Sequence, residues 1–485
     1  MSQTLNEALV REIIDEVLGR LGSDSGAVTS SDKDCGCGGK RGSYGVFQNA
    51  SDAGEAAHES FLQLAEKGIE AREKVIHIVK TMCEDNAKEW GRIELEESKI
   101  GRLDHKIAKL EIIKLVPGVE FIKPYALSGD NGITLEEYTP FGVVGAVTPS
   151  THSVPTIAGN VVNIVAAGNA VVFNPHPAAS RCAAMAVRAF NEAIYREIGI
   201  ENLITVIEEP TLDSFKEMCA HERVRLLCVT GGPGVVKAAM QTGKRAICAG
   251  PGNPPVLVDE TADIARAARC VIEGASFDNN LLCIGEKEVF VVDAVYNQFI
   301  EALRHAGAYR LSGTELDNLT KAAFQFPEGQ GAGCAAPRLN KDLLGKDATV
   351  LAQHAGAAVP SNTDLLFCET DADHLFVEEE QMMPCVPVVR VRDVEEGVQA
   401  SLKAEHGYKH TSIIHSHNVA SMTAMGRALD TTLFVKNGPC MAGLGLGGEG
   451  YLSYSIATPT GEGVTTPKTF TRTRRCCMVD QLRIY

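Results

Sequence analysis

The chain has 485 residues, 45% hydrophobic and 22% charged, which is the composition of an ordinary soluble globular protein and excludes both a disulfide-stapled miniature and a disordered chain. At roughly 100 to 200 residues per domain, this length implies two or three domains. Acidic residues outnumber basic ones by 62 to 46, and a formal charge of -16 repels a phosphate backbone, so no nucleic-acid partner is expected.

The first predicted element is an amphipathic helix over residues 1 to 21. Leu5, Leu9, Ile13, Val17 and Leu21 recur every four positions with charged residues opposite, and Thr4 and Glu7 have capping-box spacing. Acidic residues in this stretch argue against a secretory signal. Residues 22 to 45 are small and polar and read as a flexible linker. The tethered helix is either an oligomer contact or frayed tail, or a docking helix that lays its stripe in a partner's groove. Residues 46 to 115 read as helices with interleaved charges.

Apolar strands and helices then alternate. Strands are predicted at 142 to 148, 170 to 173, 203 to 207 and 225 to 230, with helices at 154 to 167, 179 to 196 and 212 to 220 and from Gly234 onward. A second series has strands at 255 to 259, 288 to 293, 387 to 391, 411 to 415 and 431 to 435. Continuous apolar strands between helices indicate parallel sheets covered on both faces. No uninterrupted apolar run is long enough to span a bilayer, so no membrane partner is expected. The 15 cysteines, without repeated spacing, indicate a reducing compartment and a cytoplasmic protein, and most should be small core residues. Cys35 and Cys37 have no nearby partners, and His406, His410, His415 and His417 form no metal-binding motif, so no metal site is read.

Two segments have the form of site-bearing turns. Thr230, Gly231 and Gly232 lie in TGGPG between a strand and a helix, which by itself is a tight turn as often as a phosphate site. Cys283 lies in DNNLLCIGEKEV, just before a strong strand. Together with PFGVVGAVTPSTHSVPT, AAGNAVVFNPHPAA, AGPGNPP, EEEQMMPCVPVVRV and GEGVTTPKTFTRTRR, these segments occur in the order seen in CoA-acylating aldehyde dehydrogenases. From about residue 46 onward the chain resembles the propionaldehyde and acetaldehyde dehydrogenases of bacterial microcompartments.

The resemblance implies an aldehyde-dehydrogenase-like α/β fold. Its parts are a Rossmann-type NAD-binding domain at 46 to 252 with an oligomerisation hairpin near 125 to 140, a catalytic domain at 253 to 438, and a C-terminal loop and oligomerisation segment at 439 to 485. It implies Cys283 as nucleophile, with NAD and coenzyme A as cofactor and co-substrate. Thr148, Pro149, His176, Thr230, Gly231, Gly232, Gly250 and Glu380 are the implied cofactor contacts, with Glu378 and Glu379 leaving a register ambiguity around the last. Ser150, Thr151, His152 and Asn280 are oxyanion or substrate candidates. His152 stands where related enzymes often carry asparagine, and a plain loop histidine explains it equally well. Ala249 falls where hydrolytic relatives carry the glutamate that activates water.

The expected activity is oxidation of a short-chain, propionaldehyde-like substrate to an acyl-CoA. The alternatives are a hydrolytic NAD-dependent aldehyde dehydrogenase and a shell-docking scaffold with decayed catalysis. The resemblance further implies a homodimer or homotetramer, located inside a bacterial microcompartment through contact of residues 1 to 21 with a shell protein.

Overall fold

The computed structural model of the protein describes residues 44–325 and 337–482. The helix expected over 1 to 21, nearly all of the expected linker, and Cys35 and Cys37 lie outside the described residues.

Among the described residues, two parallel sheets carry the architecture. The six strands of the first run in the order Val46–Phe47, Ile204–Ile207, Ala170–Pro175, Val143–Thr148, Val224–Thr230 and Arg245–Ala249. The second has seven, Tyr309–Arg310, Leu366–Thr370, Cys385–Val391, Glu288–Val292, Pro255–Val258, Thr411–His415 and Leu433–Lys436. Every residue of Val143–Thr148 and of Ala170–Pro175 is buried, as strands covered on both faces require. Each fully buried valine there contributes about 1.5 kcal/mol or more from burial. The helix Ser153–Ala166 is mostly apolar and is buried along its whole length, its polar Thr156, Asn160 and Asn163 included.

Tyr125–Gly129 and Gly132–Pro140 form the expected hairpin, and the C-terminal strand Thr471–Val479 returns to pair antiparallel with Gly132–Pro140, from Thr471 opposite Pro140 to Val479 opposite Gly132. No helix among the described residues is long and apolar enough to cross a membrane. Among the described cysteines, Cys476 and Cys477 are exposed, Cys283 is half-buried and the others are buried.

The helices between 50 and 111 carry a feature that their interleaved charges do not announce. Glu94, Lys106 and Lys109 are each at most 1% exposed. Ionic groups are buried this deeply when opposite charges and polar groups meet them, and here Lys106 meets Glu94 while Lys109 meets Asp278.

Candidate active site

The chain order of the first sheet reverses at Val143–Thr148. The next two strands in sequence, Ala170–Pro175 and Ile204–Ile207, lie on one side of it, and Val224–Thr230 and Arg245–Ala249 lie on the other. In open parallel sheets the crevice beyond the carboxyl ends of the strands at such a reversal is where ligands bind. Thr148 and Thr230 end the two strands that border this crevice.

Around it the sequence-predicted cofactor residues gather. Thr148 is buried and its Oγ1 has no partner. Pro149 and Ser150 follow, half-buried. His176 donates its backbone N–H to the Thr148 carbonyl at 3.0 Å, and its ring Nδ1 accepts the Ala178 N–H at 3.1 Å. Thr230 Oγ1 lies 2.8 Å from Ser455 Oγ, and the Gly231 N–H donates to the Ala249 carbonyl at 3.2 Å. Gly232 caps the helix Pro233–Met240 and faces open space, and a Cβ on Gly250 would come 2.9 Å from the Pro459 side chain. An unpartnered buried hydroxyl beside an open glycine turn at a helix N-terminus fits the pyrophosphate of a dinucleotide such as NAD.

Cys283 belongs to the second sheet's side of the molecule, between the turn Phe277–Asn280 and the strand Glu288–Val292. That turn is unusual: Asp278, Asn279 and Asn280 have consecutive φ of 48°, 55° and 64°, the left-handed region that L residues avoid. Such a run persists only when its surroundings over-determine it. The Asp278 N–H donates to His105 Nδ1 at 2.8 Å, and Asn279 Nδ2 donates to the Gly345 carbonyl at 2.9 Å. Asn280 Nδ2 donates to the Glu286 carbonyl at 2.8 Å, while Asn280 Oδ1 accepts from Lys287 Nζ. Both ends of the Asn280 amide are therefore engaged in shaping the loop.

The loop after Ala249 closes on Cys283. A Cβ on Gly252 would lie 2.4 Å from the Cys283 carbonyl oxygen and 3.0 Å from His410 Cγ, and the Gly252 N–H donates to the Glu380 carboxylate. Gly252 thus brings Cys283, His410 and Glu380 together. Burial, and next the Glu380 charge, push the Cys283 thiol up to about 12, with Lys287 opposing. Burial raises Glu380 itself to about 7. The resting thiol is therefore protonated at neutral pH, and its attack on a carbonyl calls for a base.

His410, read from sequence as a polar loop or strand residue, is fully buried and its Nε2 has no partner. Burial, and then Lys287, lower it to about 4, which keeps the imidazole neutral and able to accept a proton. The signal available in sequence was its place directly before the apolar strand Thr411–His415, too weak to single it out. His152 is also neutral, since burial and then the Lys109 charge hold it well below its ordinary value, and its Nδ1 lies 2.7 Å from Thr151 Oγ1. A polar cavity of about 580 Å³ lies on Asn279 and Asp347, but none of the expected cofactor contacts lines it.

The sequence model of the Aldehyde dehydrogenase family matches residues 45–448. The chain belongs to the aldehyde dehydrogenase family. Among relatives of this aldehyde dehydrogenase, an acetaldehyde dehydrogenase (acetylating) of Bilophila wadsworthia is 40% identical over 480 residues, covering 98% of both chains. A solved structure of Rhodopseudomonas palustris propionaldehyde dehydrogenase with bound CoA and an acylated cysteine is 40% identical, with a TM-score of 0.86, covering 90% of this chain and 99% of that one. The propionaldehyde dehydrogenase of the Clostridium phytofermentans fucose utilisation bacterial microcompartment is 42% identical, with a TM-score of 0.88, covering 91% and 100%. The aldehyde dehydrogenase fold expected from the motifs is thus the fold of the chain.

Proposed function

We propose that this aldehyde dehydrogenase oxidises a short-chain, propionaldehyde-like substrate to an acyl-CoA, with residues 46 to 252 as its cofactor domain and 253 to 438 as its catalytic domain. The observation that carries this reading is the meeting of Cys283, His410 and Glu380 at Gly252, one loop away from Ala249. His410 Nε2 accepts the thiol proton as the sulfur adds to the aldehyde carbon. With the thiol near 12 and the imidazole near 4, no resting thiolate–imidazolium pair forms, so transfer accompanies attack. His152, neutral, serves as an N–H donor beside Ser150 and Thr151 on the side of the aldehyde oxygen.

Thr148, Pro149, His176, Thr230–Gly232, Gly250 and Glu380 would hold NAD, which would serve as the two-electron oxidant. The product on the enzyme is a Cys283 thioester. Ala249 carries no proton acceptor, so water is not activated against this thioester, and the thiol of coenzyme A displaces the sulfur. The balance is aldehyde, coenzyme A and NAD⁺ in, acyl-CoA, NADH and a proton out.

Turnover is expected to require coenzyme A. Product analysis with propionaldehyde, with and without coenzyme A, should give propionyl-CoA in the first case and only slow release of acid in the second. Fast acid production without coenzyme A sinks the reading in favour of the hydrolytic one.

We further assign residues 1 to 21 to docking on a microcompartment shell protein. The Leu5 to Leu21 stripe carries this, because an isolated helix of about twenty residues is only marginally stable in water and gains from burying its apolar face. Changing Leu9 and Ile13 to Glu should abolish co-purification with the shell and leave the kinetics near wild type. Unchanged co-localisation counts against docking. The exposed strand Thr471–Val479 ends its sheet with an unpaired edge, which supports a homodimer or homotetramer. Sedimentation at the monomer mass would overturn that.

A further inference from the structure

Lys106 and Lys109 lie one turn apart on the helix Leu103–Glu111, and their side chains are 1% and 0% exposed. Each meets a carboxylate buried equally deeply: Lys106 Nζ lies 3.2 Å from Glu94 Oε1, and Lys109 Nζ lies 2.5 Å from Asp278 Oδ2. Both ammonium groups also donate, at 3.2 Å each, to a single acceptor, the Thr151 carbonyl oxygen. Four buried charges therefore converge on the loop that joins Val143–Thr148 to the helix Ser153–Ala166.

The remaining contacts tie the same group outward. The second oxygen of Glu94 accepts the Val154 N–H at 3.2 Å, in the first turn of that helix. Asp278 Oδ1 accepts the Arg102 N–H at 2.9 Å, and Tyr454 donates its hydroxyl to the Lys109 carbonyl at 2.9 Å. A buried ion pair is a poor source of stability, because removing both charges from water offsets most of their attraction, and apolar residues of similar volume serve as well or better. What an ammonium does supply is three donors on one atom, able to hold a carboxylate and a carbonyl together. The carboxylate belongs to the left-handed turn that leads to Cys283, and the carbonyl belongs to the loop at the cofactor crevice.

We propose that Lys109, with Lys106 beside it, is a positioning residue for aldehyde oxidation, its ammonium fixing the Thr148–His152 loop against the Asp278–Asn280 turn so that the oxidant and the Cys283 adduct meet in register. This rests on the reading of Cys283 as nucleophile. Lys109→Met alone leaves Asp278 as an unpaired buried charge and is expected to destabilise the fold, so it does not separate positioning from stability. The pair Lys109→Met with Asp278→Asn removes both charges at once and keeps, at φ 48°, a side chain that tolerates the left-handed region and can still accept the Arg102 N–H.

In that double variant the melting temperature should return to near the wild-type value while kcat for NADH formation stays down by about 10- to 100-fold, the scale that a misplacement of an ångström imposes. The kinetic isotope effect with 1-deuterated propionaldehyde should rise, because hydride transfer becomes the slow step. A role in stability alone would move neither quantity once the fold has recovered. Recovery of kcat to within about twofold of wild type along with the melting temperature, or a lowered kcat with an unchanged isotope effect, overturns the proposal. Should the double variant not fold, Lys109→Leu with Asp278→Asn, which likewise leaves neither charge of the pair behind, puts the same two readouts to the same criterion. Cys283→Ala is assayed beside them. Activity surviving in Cys283→Ala removes the nucleophile reading itself, whereas a dead Cys283→Ala with a fully active double variant removes only the role of Lys109.

Discussion

Cys283→Ala is expected to lower acyl-CoA formation by roughly 10³-fold or more, because no other group in the site can form the covalent adduct. The cost to stability should be about 1 kcal/mol or less, since the side chain is half-buried and only one sulfur is removed. Cofactor binding should persist, as the crevice at Thr148 and Thr230 does not depend on the sulfur. Iodoacetamide labelling read by peptide mass spectrometry tests the same atom in the wild type, and resolves it from the exposed Cys476 and Cys477. An acid whose pKa is raised stays protonated across the neutral range, and its thiolate fraction grows with pH. With the thiol near 12, labelling of Cys283 should rise about tenfold per pH unit between pH 7 and 9. Glu380, near 7, is mostly a carboxylate at pH 8, where it holds the thiol up. Glu380→Gln should therefore accelerate labelling at that pH. A labelling rate that is flat from pH 7 to 9 would show a resting thiolate and contradict the assignment of His410 as a base acting in concert with attack.

Much of the fold was legible because its signal is local. Thr411–His415 coincides with the predicted strand, and Val143–Thr148, Ile204–Ile207 and Val224–Thr230 lie within a residue of prediction at either end, since each is built on apolar and β-branched residues. The strands Arg245–Ala249 and Leu366–Thr370 escaped. The first opens on a charged, exposed residue and the second ends on Glu369 and Thr370, so neither reads as an apolar run of useful length. Short apolar segments of this kind are decided by their neighbours in the sheet.

The site divides along the same line. Cys283, Thr148 and the Thr230–Gly232 turn stand in motifs whose order is itself informative, and the sheet reversal places the last two at one crevice. His410, Lys106 and Lys109 stand in no such pattern. Lys106 and Lys109 have the spacing of an exposed helical face, and only the docking of that helix beneath the Thr148–His152 loop turns them inward. Asn280, an oxyanion or substrate candidate by the resemblance, has its side-chain amide held by the Glu286 carbonyl and Lys287, partners that the motif alone does not announce. Long-range pairing decides these roles, and a pattern of residue types along one chain does not encode it.

Gly252→Ala is expected to reduce kcat by about 100-fold, although it adds a single methyl group and touches no substrate. The backbone of Gly252 has no positive φ, so alanine can adopt its conformation and the effect is one of space. The new Cβ would sit 2.4 Å from the Cys283 carbonyl oxygen, a distance at which something must shift, and that oxygen is backbone and cannot swing aside like a side-chain end. His410, at 3.0 and 3.2 Å from the added carbon, blocks relaxation on the other side. The Gly252 N–H also holds Glu380, so any retreat of residue 252 moves that carboxylate as well. One methyl thus disturbs Cys283, His410 and Glu380, the proposed nucleophile, base and cofactor contact, together, at a stability cost of about 1–3 kcal/mol. Gly313→Ala, where an added Cβ meets nothing within 4 Å in the first turn of a distant helix, is the control for glycine replacement as such. Steady-state kinetics and thermal melts of the two variants decide the matter. Near-wild-type kcat in Gly252→Ala would mean that the loop after Ala249 yields freely, and that its contact with Cys283 does not set the geometry of the reaction.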